Sequence, residues 1–501
     1  MKKIIRWVGS NKQEACIFFI ILLVSGSLRF YKIDQYMFFL GDEGRDALIV
    51  KEMLTERHIP LIGPPTSIGD MYNGPLYYYM MSVPMAIFWL NPVAAAGMVA
   101  LVGTLTVGLI YYLAREWFGK SAAVISSVLY SLSPVNIIYS HSSWNPNPAP
   151  FFALLAIIGF YHIRKYQDFR WLLLSGLAVA FAIQMHYLSL ILLPIAGALW
   201  IYELAKAKIN KKNLKKFIVY TILAVLLFAI LMSPPVIFDF RHGFMNFHAF
   251  SKFFFGDRET TVNLNIFNAL GRVYPIYTHN LIERYISGEN IFTKGFLSIA
   301  ILLPVFFAVG RIFKKKILEW PTLTLGVWLI GGLLGLSLYK QTIYDHYLGF
   351  LNPAPFLLIG SLSKILAGKY FKWGMIILVI IVSAINIARN PLFTPPNNQL
   401  KKTQEISKNI IAESGNKPFN FALIAEHNYD AAYQYYLDLY GYKPKKVPFE
   451  ITDQLFVICE DKICKPVGHP KYEIAAFGWS KIDWEKNTNG VKLFKLSHFQ
   501  L

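Results

Sequence analysis

The residues whose types suggest chemistry begin with an acidic hexapeptide, Gly41-Asp42-Glu43-Gly44-Arg45-Asp46, just past the first apolar run of the chain. Carboxylates beside a bilayer are costly unless solvated or paired, so two adjacent ones there suggest a site. A carboxylate at a loop–helix junction can accept the proton of an incoming hydroxyl. Asp42 and Glu43 are the candidate catalytic acids; Arg45, placed to pair with Glu43 or Asp46 and set the geometry, and Asp46 are substrate-binding candidates. The same residues also have a structural reading. Ala47, Val50, Met53 and Leu54 share one face of a helix over 43–56, which places Asp42 as its N-cap.

Other side chains of the kind that hold sugars and phosphates lie farther along. Trp144, Asn145 and Asn147 combine a stacking surface with amide hydrogen bonding, although Asn-Pro also simply ends a helix. Tyr77 and Tyr78 suit a ligand or a membrane interface. Arg241, Arg258 and Arg272 offer fixed positive charge to a phosphate leaving group, or are ordinary surface residues. Tyr344 and His346 lie on a short loop between two apolar runs.

A membrane bundle must position these residues. The chain of 501 residues is 55% hydrophobic and 16% charged, against about a quarter charged in soluble domains. Apolar runs lie at roughly 15–31, 75–90, 93–113, 121–139, 149–163, 171–185, 187–203, 217–236, 296–312, 321–339, 347–364 and 373–388. The net charge of +19 resides largely in short basic loops between them, as the positive-inside rule requires, so no nucleic-acid partner is implied. With the loops 1–12, 114–120, 164–170, 205–216, 311–316 and 364–372 in the cytoplasm, every alternation closes except that 75–90 and 93–113 cannot both cross. The run 75–90, opened by Pro75 and closed by Asn91-Pro92, is then a non-spanning outer helix. The expected fold is an all-α polytopic membrane protein with about 11 spanning helices, a cytoplasmic N-terminus and an outer C-terminus. Lys2, Lys3 and Arg6 precede the first run with no small-residue cleavage site, which reads as an uncleaved anchor.

Composition changes after about residue 390. Pro391, Pro395 and Pro396 mark a linker, and 391–501 reads as a small extracytoplasmic α/β domain. Strands are expected over 419–425, 455–459 and 491–496. An amphipathic helix is expected over 430–440, with Asp430 as N-cap. Cys459 and Cys464 are a disulfide candidate if the region is extracytoplasmic, and only His469 is near enough to suggest zinc instead. Cys16, inside the first run, is expected to be a packed thiol.

The ordered set Asp42-Glu43-Gly44-Arg45-Asp46-Ala47, Glu52-Met53-Leu54, Gly63-Pro64-Pro65-Thr66 and Gly74-Pro75-Leu76-Tyr77-Tyr78-Tyr79 resembles the first outer loop of bacterial glycosyltransferases of family 39. These are relatives of the dolichyl-phosphate-mannose protein mannosyltransferases and of the lipid A aminoarabinose transferase, with the GT-C fold. The segment 114–120, Ser133-Pro134, and His346-Tyr347-Leu348 before Pro353 also fit. The resemblance implies inverting transfer of a sugar from a polyprenyl-phosphate donor to a lipid, glycan or protein acceptor on the outer face, with Asp42 as base. It implies no cofactor and leaves a divalent metal open. The chain departs from the family in two places. Asn73 and Gly74 stand where many members carry Lys or His, and Asn145 and Asn147 stand where many carry a second Asp.

Two other classes compete. A secondary transporter would place charge near the midplane on broken helices in repeated halves, and neither feature is evident. A non-enzymatic surface-assembly protein would act through its C-terminal domain. No phosphate-binding glycine loop is seen in context. The topology is open to test: a cysteine at position 115 should react with a membrane-impermeant reagent only from the cytoplasmic side, and labelling from outside overturns the alternation.

Overall fold

The computed structural model describes residues 8–207, 211–255, 262–263, 265–313, 319–365, 368–461 and 463–499. Arg258 lies outside the described residues, as do Lys2, Lys3, Arg6 and Lys314 to Lys316.

Lipid offers the backbone no hydrogen bonds, so long apolar segments close their own as helices. The order is α1 (Lys12–Phe30), α2 (Gly41–Thr55), α3 (Leu76–Ile87), α4 (Pro92–Phe118), α5 (Lys120–Leu132), α6 (Ala149–Tyr166), α7 (Trp171–Met185), α8 (Leu192–Ala207), α9 (Lys211–Arg241), α10 (Met245–Phe255), α11 (Ile266–Pro275), α12 (Ile291–Phe313), α13 (Trp320–Ser337), α14 (Pro353–Ile365) and α15 (Lys369–Ala388). Each apolar run read from the sequence falls on a helix. Among the described residues, six helical stretches are long and apolar enough to cross a membrane unaided: Lys12–Phe30, Pro92–Phe118, Tyr187–Ala207, Asn213–Arg241, Trp320–Ser337 and Lys369–Phe393. Shorter apolar helices stand beside them. The run 75–90 forms α3, whose 12 residues rise only about 18 Å, short of a bilayer core of about 30 Å.

The helices turn large apolar side chains outward. Leu23, Ile230 and Ile380 are more than 60% exposed, as expected of lipid-facing surfaces in a multi-pass membrane protein. Cys16 is among these outward residues rather than packed. A run that is apolar all round carries no sign of which face meets the bundle.

After α15 come α16 (Gln399–Ser414), β1 (Asn420–Ile424), α17 (Ala431–Leu439), β2 (Gln454–Cys459), α18 (Tyr472–Phe477), β3 (Ser480–Thr488) and β4 (Val491–His498). The sheet order is β1-β2-β4-β3, with β1 and β2 parallel and the other pairs antiparallel. Ile406 and Ile410 of α16 and Leu437 of α17 pack on Phe421, Leu423, Phe456 and Ile458 of one sheet face. Ile474 and Phe477 of α18 cover Leu455, Val457 and Leu496 on the other. Because β1 and β2 are buried on both faces, they read as unbroken apolar runs. Asp430 does precede α17, but its side chain makes no capping bond to the backbone.

This sheet unit rests directly on α2 and the chain leading into it. Tyr36 donates from its hydroxyl to the carbonyls of Leu392 (2.9 Å) and Thr394 (2.8 Å). The Phe39 ring packs on Tyr435 and Tyr436, and Lys51 pairs with Asp438 at 3.0 Å. A Cβ on Gly44 would stand 2.2 Å from the backbone nitrogen of Ala432, so only glycine permits the approach. Gly44→Ala should loosen this seat by about 1–3 kcal/mol, read as a lower thermal midpoint and faster proteolysis of the 391–398 linker in detergent-purified protein.

Candidate active site

The first turn of α2 carries the acidic cluster, and the structure gives its members different surroundings. The N-cap position is Leu40, two residues before Asp42. Glu43 reaches back and accepts the Leu40 N–H at 3.1 Å, which holds the turn closed. Glu43 is buried, and that desolvation raises its pKa to about 7. Asp46 is fully buried and likewise raised, to about 6, because desolvation outweighs the attraction of Arg45. Asp42 differs: its side chain is 43% exposed, so it is the carboxylate of the three that a hydroxyl can reach.

Arg45 ties the cluster together. Its Nη1 donates to Asp42 Oδ1 at 2.8 Å, and its Nε and Nη2 donate to Asp46 Oδ1 at 2.9 and 2.7 Å. These carboxylates hold the guanidinium firmly charged against its own desolvation. The sequence suggested Glu43 or Asp46 as partners of Arg45; the ion pairs are to Asp42 and Asp46. Tyr78 also donates to Asp46 Oδ1, at 3.2 Å, and Tyr77 exchanges a hydrogen bond with Ser143 at 2.9 Å. Both tyrosines are buried and brace the cluster from α3 rather than facing open solvent.

His346 faces the same region. Its ring lies 4.4 Å from Trp144, 5.9 Å from Tyr344 in a stacked arrangement and 5.5 Å from His186. Burial lowers its pKa to about 4, against a smaller opposing pull from Asp42, so it is neutral at physiological pH. Arg284 fixes this loop by donating to Asp345 Oδ2 at 3.0 and 2.8 Å.

The remaining residues singled out in the sequence divide differently. Asn145 is buried and donates to the Met185 carbonyl at 2.6 Å. Asn147 donates to the carbonyls of Tyr139 and Ser142 at 2.7 and 2.9 Å. Asn147 thus pins the backbone before Trp144, and Asn145 ties the loop to the end of α7. Arg272 donates to the carbonyls of Tyr339 and Gln341, which fixes the segment following α13. Arg241 is exposed at the end of α9. Cys459 and Cys464 form a disulfide. Among the described residues, no group of three or more His, Cys, Asp or Glu is arranged to hold a metal ion.

Gly74 stands where a lysine or histidine was expected, and the structure supplies a reason. A Cβ there would lie 2.0 Å from Gln184 Oε1. The Gln184 amide occupies that space, accepting from Leu76 N–H at 3.3 Å and donating to the Leu231 carbonyl at 2.8 Å. Beside it, an apolar cavity of about 250 Å³ opens among Met71, Ile183, Met232, Val236 and Phe250. A larger cavity, of about 630 Å³, is lined by His242, His248, Lys252 and Asp70.

Three participants escaped the sequence reading. Tyr429 donates its hydroxyl to Asp42 Oδ1 at 2.5 Å, and Asn428 accepts the Gly41 N–H at 2.9 Å. Arg284 is the third. No local pattern marks any of them, since they act across separations as large as 387 residues.

The sequence pattern of the dolichyl-phosphate-mannose-protein mannosyltransferase family matches residues 72–238. No curated protein matches the chain. Among solved structures, ArnT from Cupriavidus metallidurans bound to undecaprenyl phosphate superposes with a TM-score of 0.60 at 14% identity, over 97% of this chain and 98% of that one. The Archaeoglobus fulgidus oligosaccharyltransferase in complex with zinc and sulfate gives 0.54 at 16% identity, over 87% of this chain and 62% of that one. The same organism's AglB in complex with an inhibitory peptide and a dolichol-phosphate gives 0.52 at 16%, over 88% and 65%. The family pattern covers 72–238, about a third of the chain, and the GT-C fold is shared with these structures along most of its length.

Proposed function

We propose that this protein is a polyprenyl-phosphate-dependent glycosyltransferase acting on the outer face of the membrane, with Asp42 as the base. The observation that carries the reading is the contrast within the acidic cluster: Glu43 and Asp46 are buried and engaged, whereas Asp42 is fixed through Oδ1 and remains open to solvent. In the reaction, Asp42 takes the proton of an acceptor hydroxyl while that oxygen attacks the anomeric carbon. The bond from that carbon to the lipid phosphate breaks on the opposite face, which inverts configuration. Neutral His346 and the Trp144 ring supply hydrogen bonding and a stacking face for the sugar.

A lipid-linked anionic donor also suits the two cavities. The apolar one opens between α7 and α9, where a prenyl chain would enter from lipid, and the larger one brings His242, His248 and Lys252 to bear on negative charge. ArnT is the relative with undecaprenyl phosphate bound, which supports a donor of this class here. The C-terminal unit, residues 391–501, then lies outside the cell membrane, a setting that permits the disulfide. The acceptor is a lipid, glycan or protein hydroxyl.

Purified Asp42→Asn, given radiolabelled sugar on defined polyprenyl phosphates, should lose roughly 10²–10⁴-fold in transfer rate with normal expression. Retained activity refutes the assignment of the base.

The buried acids set a pH dependence of stability. Folding holds the Glu43 proton up to about pH 7, while the unfolded chain releases it near about 4.3. The folded state therefore binds more protons in that window, and stability falls as pH rises through it. Glu43→Gln retains an acceptor for Leu40 N–H but cannot ionise. Its thermal midpoint should fall less steeply than wild type between about pH 4.5 and 7, the remaining slope belonging to Asp46.

A further inference from the structure

We propose that Tyr429, from the C-terminal unit, is a positioning residue for Asp42, so that the acceptor-activating site is complete only while that unit is seated on α2. The inference rests on the reading of Asp42 as the base. Four observations converge on it. The Tyr429 hydroxyl donates to Asp42 Oδ1 at 2.5 Å and accepts from Arg45 Nη1 at 2.9 Å. One carboxylate oxygen is thus held by two donors, and Oδ2 is left for the acceptor. The Tyr429 ring lies flush on Gly41, where a Cβ would stand 2.4 Å from ring carbons, so the ring and the first turn of α2 fit only without a side chain between them.

Behind the tyrosine runs a second line of support. Asn428 Oδ1 accepts the Gly41 N–H, and its Nδ2 donates to both Glu460 oxygens at 3.1 and 3.0 Å. Tyr433 donates to the same Glu460 at 2.7 Å. Glu460 lies within the short loop closed by the Cys459–Cys464 disulfide. The asparagine is therefore anchored at its amide nitrogen by the sheet unit and holds the helix end with its oxygen. This places the tyrosine hydroxyl over Asp42 rather than leaving it to wander on an exposed loop.

A hydroxyl donated to a carboxylate favours the ionised form and fixes its plane. Tyr429→Phe keeps the ring on Gly41 and removes only the donor. Transfer by the full-length protein should drop about tenfold in kcat, consistent with losing one hydrogen bond to a charged group. KM for the donor and the thermal midpoint should stay near wild type. A tyrosine that merely anchors the domain would lower the midpoint and leave kcat of the folded protein in place. Asn428→Ala is the second variant. It should lower kcat in the same direction and raise hydrogen exchange at residues 41–44.

The two assignments fail separately. If Asp42→Asn transfers sugar at the wild-type rate, the base itself is misassigned. If Asp42→Asn is inactive while both Tyr429→Phe and Asn428→Ala keep the wild-type kcat, the inference about Tyr429 is overturned and the base stands.

Discussion

The structure turns on the close approach of two backbones: the first turn of α2 and the segment from Asn428 to Ala432. Gly41 and Gly44 permit it by carrying no side chain toward the partner. A closely packed interior gives little elsewhere to absorb an added methyl at such a point. The contact does more than join two units. It brings a phenol to the one carboxylate of the cluster that remains accessible and an amide oxygen to the Gly41 N–H one residue before it. Tyr435, Tyr436 and Leu400 continue the apolar core of the bundle into the sheet unit, so the seat is backed by burial as well as by polar bonds.

The same economy of space recurs at Gly74. Where many members of the resembled family carry Lys or His, the amide of Gln184 fills the volume and bridges α3 to α9. Lys252 lines the larger cavity, together with His242, His248 and Asp70. Asn147 holds the chain before Trp144 by its carbonyls and Asn145 ties this loop to the Met185 carbonyl at the end of α7, tasks for which an amide donor is suited and a carboxylate is not.

Much of the fold was legible because long apolar runs have few alternatives in lipid, and the helices fall where those runs lie. The run that forms the short α3 was set apart by the alternation of basic loops, which left no room for it to cross beside α4. The acidic cluster could be located but not resolved into roles, since burial distinguishes Asp42 from Glu43 and burial comes from tertiary packing. Asp42 as N-cap was a local inference that the reach of Glu43 to Leu40 displaced. In the C-terminal unit, β1, β2 and β4 announce themselves as apolar runs, whereas β3 is a largely exposed strand at the edge of the sheet and reads as a polar loop. The helix α16 does carry a signal, Ile406 and Ile410 one turn apart on an otherwise polar stretch, and a periodicity search over 399–414 would find it. Tyr429 has no such signature, because its meaning is conferred by a residue 387 positions away.

That separation also has a consequence in time. Asp42 leaves the ribosome early, while the hydroxyl that holds it is added 387 residues later, roughly 20 to 80 s afterwards at ordinary elongation rates of about 5–20 residues per second. Throughout that interval the bundle can insert and pack, but the first turn of α2 has neither its amide cap nor its phenol. The carboxylate is therefore finished last, after the helices around it are laid down, and a chain truncated before residue 428 would insert its membrane helices without the two groups that complete the site.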